Sequence, residues 1–121
     1  MDKFFDELEA KREKEKKIKK EIKRLKKIFE GLEPNKLKAV DALIARAAFI
    51  TVNLQELEEE LNMKGWTETY INGKNQEGVK KAAAAEAHIS LTKNLTTIMK
   101  QLLDLVPPAQ KESRLAAMMG K

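Results

Sequence analysis

The chain has 121 residues, of which 36% are charged and 5% are aromatic, and it contains no cysteine. This length allows one domain with a modest core, and the missing thiol excludes disulfides and thiolate metal sites. No apolar stretch approaches the ~20 residues of a membrane span, so we expect a cytosolic protein without a membrane partner. The net charge of +5 conceals a local excess of positive charge, since residues 11–27 hold eleven Lys or Arg and three Glu.

The first predicted helix runs from about Asp2 to Glu30. Asp2 is a suitable N-cap. From Ile18 onward, apolar residues recur at alternating spacings of four and three, which places them on one face of a helix. We call such a continuous apolar row a seam. Gly31 and Pro34 are expected to end this helix.

The second predicted helix runs from about Asn35 to Lys64. Asn35 is the expected N-cap, and Gly65 suits the C-terminal end. It carries a heptad-like seam throughout. Its middle is apolar on most sides, so we expect it to be the most buried part of the domain. A run of glutamates between positions 56 and 60 is expected to form its solvated face.

A break in the helical pattern follows between Trp66 and Val79. Threonine, tyrosine and isoleucine favour a strand here, and Asn72-Gly73 is typical of a two-residue hairpin turn. We predict a small β-hairpin or an ordered loop at this place.

The third predicted helix runs from about Val79 to Val106 and carries another seam. Pro107-Pro108 should end it. The remaining residues, 109–121, are only weakly amphipathic. We expect this tail to be flexible, or to become ordered only on a partner.

Together these elements predict an all-α fold of three long helices with coiled-coil-like seams, and a small β-hairpin or loop between helices two and three. The predicted parts are a basic N-terminal helix (1–33), a helical oligomerisation core (34–108, with the hairpin at 66–79) and a flexible C-terminal tail (109–121). Three seams exceed what one short chain can cover, which indicates a homo-oligomer; a self-contained three-helix bundle is the alternative. The expected interface residues are Leu43, Ile50, Leu54, Leu57, Leu61, Leu91, Leu95, Ile98 and Leu102.

Catalytic signals are absent from the sequence. Gly73-Lys74-Asn75 lacks the upstream glycine and the Ser or Thr of a phosphate-binding P-loop. His88, the one histidine, is in register with the third seam, so we expect it to be packed or interfacial. We therefore predict that the protein is not an enzyme and has no catalytic residues, no metal and no cofactor.

The basic segment is the sharpest functional signal. On a helix, residues three or four apart are neighbours, and each like-charge pair costs about 0.2–0.5 kcal/mol. A polyanion would relieve this repulsion and gain from counterion release. A solvated coiled-coil surface, an acidic membrane and an acidic protein partner remain alternatives. The expected nucleic-acid-binding residues are Lys16, Lys17, Lys19, Lys20, Lys23, Arg24, Lys26 and Lys27, together with Lys80 and Lys81.

The stretch from Gly65 to Lys81, GWTETYINGKNQEGVKK, resembles a group of small terminase subunits of tailed bacteriophages. In that group a helix ending in Asn/Lys-Gly leads to a Tyr-x-Asn-Gly-x-Asn-Gln-x-Gly loop. A last helix then ends in Lys-Gln-Leu-x-Asp-Leu-hydrophobic-Pro, which is similar to the segment from Lys100 to Pro107. The resemblance covers residues 35–108, and the loop is its most specific part.

The resemblance implies a non-catalytic, ring-forming, DNA-binding adaptor for genome packaging in the cytoplasm of the bacterial host. Its implied partners are double-stranded viral DNA, a large terminase subunit with ATPase and nuclease activities, and other copies of itself. By analogy, the large subunit is the partner of the tail. Many small terminases begin with a compact helix-turn-helix, whereas this chain begins with one long basic helix, so DNA-contact residues are not carried over. A generic coiled-coil scaffold without nucleic-acid binding is the alternative.

Overall fold

The computed structural model describes residues 2–73 and 76–120. Over these ranges the chain is mainly α-helical, with four helices and one small antiparallel sheet. A short helix that was not predicted therefore joins the three long ones. The elements in chain order are α1 (Lys3–Ile28), α2 (Pro34–Lys64), β1 (Thr67–Asn72), β2 (Gln76–Lys81), α3 (Ala83–Asp104), a 3₁₀ turn (Pro108–Gln110) and α4 (Lys111–Met118).

The start of α1 is the one predicted. Asp2 is the N-cap, and its Oδ1 accepts a hydrogen bond from the Phe4 backbone N–H at 3.1 Å. Leu25 within α1 and Phe29 just after it are buried. The seam in the second half of this helix is therefore a core-facing row, as its spacing predicts.

The start of α2 differs from the prediction. Pro34 lies in the first turn and Glu33 is the N-cap, without a side-chain hydrogen bond, so the predicted cap at Asn35 is wrong. Proline suits a first helical position because the N–H that it lacks has no partner within the helix. At the other end, Gly65 adopts a φ of 87° and its N–H donates to the Leu61 carbonyl at 2.8 Å, which ends the helix.

The centre of the fold is α2, which packs against both α1 and α3. Lys14 of α1 contacts Glu56 near the end of α2, and His88 near the start of α3 contacts Glu58. A smaller cluster of Leu61 with two alanines fastens the beginning of α3 to the end of α2. The main core consists of Leu25, Phe29, Leu32, Val40, Ile44, Ala47, Ala48, Ile50, Leu54, Ile98, Leu102, Val106 and Met118.

The hairpin exists, but its bounds differ from those predicted. Asn72 pairs with Gln76, which leaves three residues between the strands, so the predicted two-residue turn is wrong. Lys74 and Asn75 lie outside the described residues. The second strand continues to Lys81, and α3 therefore begins four residues later than Val79.

The segment after Pro107 is helical where a flexible tail was predicted, and that prediction is wrong. Met118 is buried in the main core. The Arg114 guanidinium donates to the carbonyls of Ile28 and Glu30 at 2.6 and 3.1 Å. Arg24 of α1 donates in return to the carbonyls of Ala117 and Met118 at 3.0 and 3.2 Å. Each arginine thus satisfies carbonyls at the C-terminal end of the other helix.

Candidate nucleic-acid interface

The outward side of α1 is a surface of lysines. Ile18, Ile22 and Leu25 pack into the core, so the lysines between them lie on the solvent side of the helix or at its edge. Lys17 and Lys20 are at the edge, where they line an open cavity together with Gln55 of α2. The resulting surface covers eleven helical steps, or about 16 Å at 1.5 Å per residue. We call it the basic face; its exposed members are Lys16, Lys17, Lys19, Lys20, Lys23, Lys26 and Lys27.

Little negative charge compensates the basic face. Lys16 Nζ lies 3.5 Å from Glu13 Oε1, and both side chains are exposed, so this pair contributes little. Glu21 is engaged by Arg24. Within residues 2–73 and 76–120, the other six lysines of the basic face have no carboxylate within ion-pair distance. The face therefore presents net positive charge to the solvent.

Arg24 differs from its lysine neighbours. Its Nε and Nη2 donate to the two carboxylate oxygens of Glu21 at 2.8 and 2.9 Å, and its Nη atoms also hold the end of α4. The hydrogen bonds to Glu21 raise the pKa of Arg24 above its ordinary value, partial burial opposes the shift, and the Glu21 charge adds to it. Because these donors are committed within the chain, we exclude Arg24 from the candidate interface.

The lysines of the hairpin lie apart from the basic face. Lys14 is level with Glu56, close to the hairpin end of α2, and the basic face extends from there in the opposite direction along α1. Lys80 pairs with Glu68 at 3.6 Å and sits 5.8 Å from the centre of the Tyr70 ring. Lys81, the next residue, lies on the opposite face of the strand from Lys80. The predicted nucleic-acid-binding residues therefore fall into two separate groups, one on the basic face of α1 and one on the hairpin.

The predicted oligomer interface is largely occupied within the chain. Ile50, Leu54, Leu61, Ile98 and Leu102 are buried, so another copy cannot reach them in the folded chain. The hairpin connection folds α3 back on α2, and the two seams then face each other. The remaining predicted residues pack half-buried against the same clusters; they are Leu43, Leu57, Leu91 and Leu95.

His88 has the packed environment that its register predicts. Its Nε2 lies 3.0 Å from Glu58 Oε2, and its ring meets that of Trp66 edge-on, with 5.4 Å between the centroids. Over the described part of the chain, no group of three or more His, Asp or Glu side chains could hold a metal ion. None of the helices described there is long and apolar enough to cross a lipid bilayer.

Sequence reasoning missed the exposed apolar side chains at the start of α1 and on the hairpin. The exposed fractions are 64% for Phe4, 61% for Phe5, 70% for Ile71 and 68% for Val79. The sequence contained one signal for the exposure of Phe4 and Phe5. Neighbouring residues on a helix point about 100° apart, so two consecutive phenylalanines cannot both lie on one seam.

Comparisons of the chain with models of known protein families, with curated proteins and with solved structures found no match. The candidate function therefore depends on the charges and packing described above and on the residues that resemble small terminase subunits.

Proposed function

We propose that this protein is a non-catalytic adaptor that binds double-stranded DNA through the basic face of α1. The observation that supports this most is the row of exposed lysines on a helix whose opposite side is packed into the core. Packing holds the helix in place, so the charges are arranged before the ligand arrives and little further order has to be imposed on binding.

Phosphate contact is the mode of binding that this surface suits. Double-stranded DNA carries one negative charge per ~1.7 Å of its axis, so a face about 16 Å long can engage several phosphates. Lysine is a flexible point charge that recognises phosphate without reading bases. Binding should therefore depend on charge and orientation, with little base specificity.

The particular protein that we propose is a small terminase subunit of a tailed bacteriophage. The support is the GWTETYINGKNQEGVKK stretch and the C-terminal motif of α3, together with the absence of a P-loop in the sequence. In this proposal the chain acts in the bacterial cytoplasm, assembles with copies of itself and regulates a large subunit that supplies the ATPase and nuclease.

Fluorescence anisotropy with labelled duplexes of several sequences, at 50 and 200 mM salt, tests the DNA-binding part. We expect binding that weakens steeply with salt, because each phosphate contact releases counterions. Replacing Lys19, Lys20, Lys23 and Lys27 with glutamine should weaken binding about equally on all sequences. It should also reduce the salt slope by about three to four.

The matched control replaces four exposed lysines elsewhere, at positions 38, 64, 93 and 100, with glutamine. It removes the same charge, so any general charge effect is equal in the two variants, and we expect it to keep most of the affinity. Equal losses in both variants would show that net charge and not the basic face binds DNA. No binding by the unmodified chain at 50 mM salt would leave the scaffold alternative, which the exposed apolar side chains favour.

A further inference from the structure

The exposed apolar side chains of the hairpin and of the adjoining start of α3 form one surface. The strand register pairs Thr69 with Val79 and Thr67 with Lys81, so these residues share one face of the hairpin. Trp66 is 49% exposed and Ile89 of α3 is 38% exposed. Neither the core nor the basic face accounts for this apolar area.

An open groove separates this face of the hairpin from the first turns of α3. Its volume is about 350 Å³, and its apolar lining comes from Trp66, Val79, Ala85 and Ile89. Lys80 and Lys81 contribute the basic part of the lining. Lys80 has Glu68 as a partner, whereas no described carboxylate lies within ion-pair distance of Lys81. The groove is thus apolar with a positive margin.

The hairpin that forms one wall of this groove has little support from its own chain. It has only two strands, and apart from the half-buried Gly78 each residue whose burial is described is exposed. An isolated two-stranded hairpin is marginally stable at best and gains stability when an apolar surface packs on it. A partner seated in the groove would supply that surface.

The beginning of α1 has the complementary character. Phe4 and Phe5 are exposed and lie edge to face, with ring centroids 6.1 Å apart. The surrounding residues 2–9 contain four acidic side chains against the single Lys3, a net charge of −3. Since both phenylalanines are more than 60% exposed, they do not fill the groove of their own chain.

We propose that Phe4 and Phe5 of one copy insert into the groove beneath the hairpin of a second copy, with the acidic start of α1 against Lys81. The two contacting surfaces differ, so the contact is head-to-tail and leaves a free surface at each end of a dimer. Repetition closes a ring if the rotation between copies permits. This inference rests on the self-association in the proposed function and makes no use of the basic face.

Two variants, each damaging one side of the contact, test it. Phe4→Asp with Phe5→Asp alters the inserted segment, and Val79→Asp with Lys81→Glu alters the groove. All four positions are exposed, so circular dichroism should show an unchanged fold. By light scattering we expect the unmodified chain to exceed the 13.8 kDa of one copy, and each variant alone to be monomeric.

The two variants mixed in equal amounts should form a dimer of about twice 13.8 kDa, and nothing larger, because each supplies one intact surface. Met63→Asp is the control: this residue is 87% exposed at the same end but does not line the groove, so assembly should persist. A monomeric unmodified chain, a variant that still assembles, or a mixture that stays monomeric would overturn the proposal. The glutamine variant of the basic face should assemble normally, so a failure of DNA binding is distinguishable from a failure of this contact.

Discussion

The two halves of α1 belong to one continuous helix but have different surroundings. Residues 3–13 are exposed except for the half-buried Leu8, whereas residues 14–28 contribute the buried Leu25 and several half-buried side chains to the core. The second half also holds nine Lys or Arg against two Glu. Helix geometry is the same throughout. Burial and charge, and not helix formation, therefore separate a half that packs one side into the core and carries the basic face on the other from a half that is exposed on nearly every side.

The largest expected difference between the halves is in stability. Phe29, next to the end of α1, is 1% exposed, and replacing it with alanine leaves a cavity in the core. We expect Phe29→Ala to lower the free energy of unfolding by about 3–5 kcal/mol. Lys11→Ala, in the exposed half, should change it by less than about 0.5 kcal/mol, because this side chain is exposed. Urea unfolding followed by circular dichroism measures both, and similar losses would contradict the division of the helix.

A second difference between the halves concerns the two arginines of α1, Arg12 in the exposed half and Arg24 in the packed half. Arg24→Ala removes the donors for the Ala117 and Met118 carbonyls and leaves Glu21 unpaired. We expect a cost of about 1–3 kcal/mol, concentrated in α4. Hydrogen exchange at residues 111–118 should accelerate, whereas Arg12→Ala, the control in the exposed half, should leave it unchanged. Unaltered exchange in Arg24→Ala would mean that Met118 alone holds α4.

The pH dependence of this anchoring follows from the same contact. The pKa of Arg24 is raised above its ordinary value by the hydrogen bonds to Glu21, with burial acting in the other direction. A group whose pKa is higher in the folded state than in the unfolded state stabilises the fold at every pH below its unfolded pKa. That stabilisation is lost only as the pH rises through the folded-state pKa. Protection of α4, corrected for intrinsic exchange rates, should therefore show no loss attributable to Arg24 between pH 7 and 10.

The smallest expected effect belongs to Lys14, at the boundary between the halves. Its Nζ lies 2.9 Å from Glu56 Oε1 and 2.8 Å from Asn53 Oδ1, with its side chain 32% exposed. A double-mutant cycle of Lys14→Ala with Glu56→Ala should give a coupling of about 0.2–1 kcal/mol. The same cycle for the exposed Lys16–Glu13 pair should give a value near zero. A larger coupling for that second pair would contradict the assignment of the boundary.

Local patterns predicted much of the fold and part of the site. The seam beginning at Ile18 and the cap at Asp2 placed α1 to within two residues, because both signals act within a few turns of the chain. The lysines of the basic face were recognised for the same reason, since helical spacing alone puts them outside the seam. The exact turn at Asn72-Gly73 was missed, because several loop lengths are compatible with a glycine at that place.

Sequence by itself determined the three long helical segments and which of their sides are apolar, because these properties depend on neighbours three or four residues away. Only the tertiary structure decided that the seams of α2 and α3 cover each other within one chain, which spacing cannot distinguish from contact between copies. The tertiary structure also determined that α4 is helical, since a helix of eight residues is too short to be stable alone. Arg24 contacts that helix from 93 and 94 positions before the carbonyls to which it donates, and a contact over that distance leaves no periodic trace in the sequence.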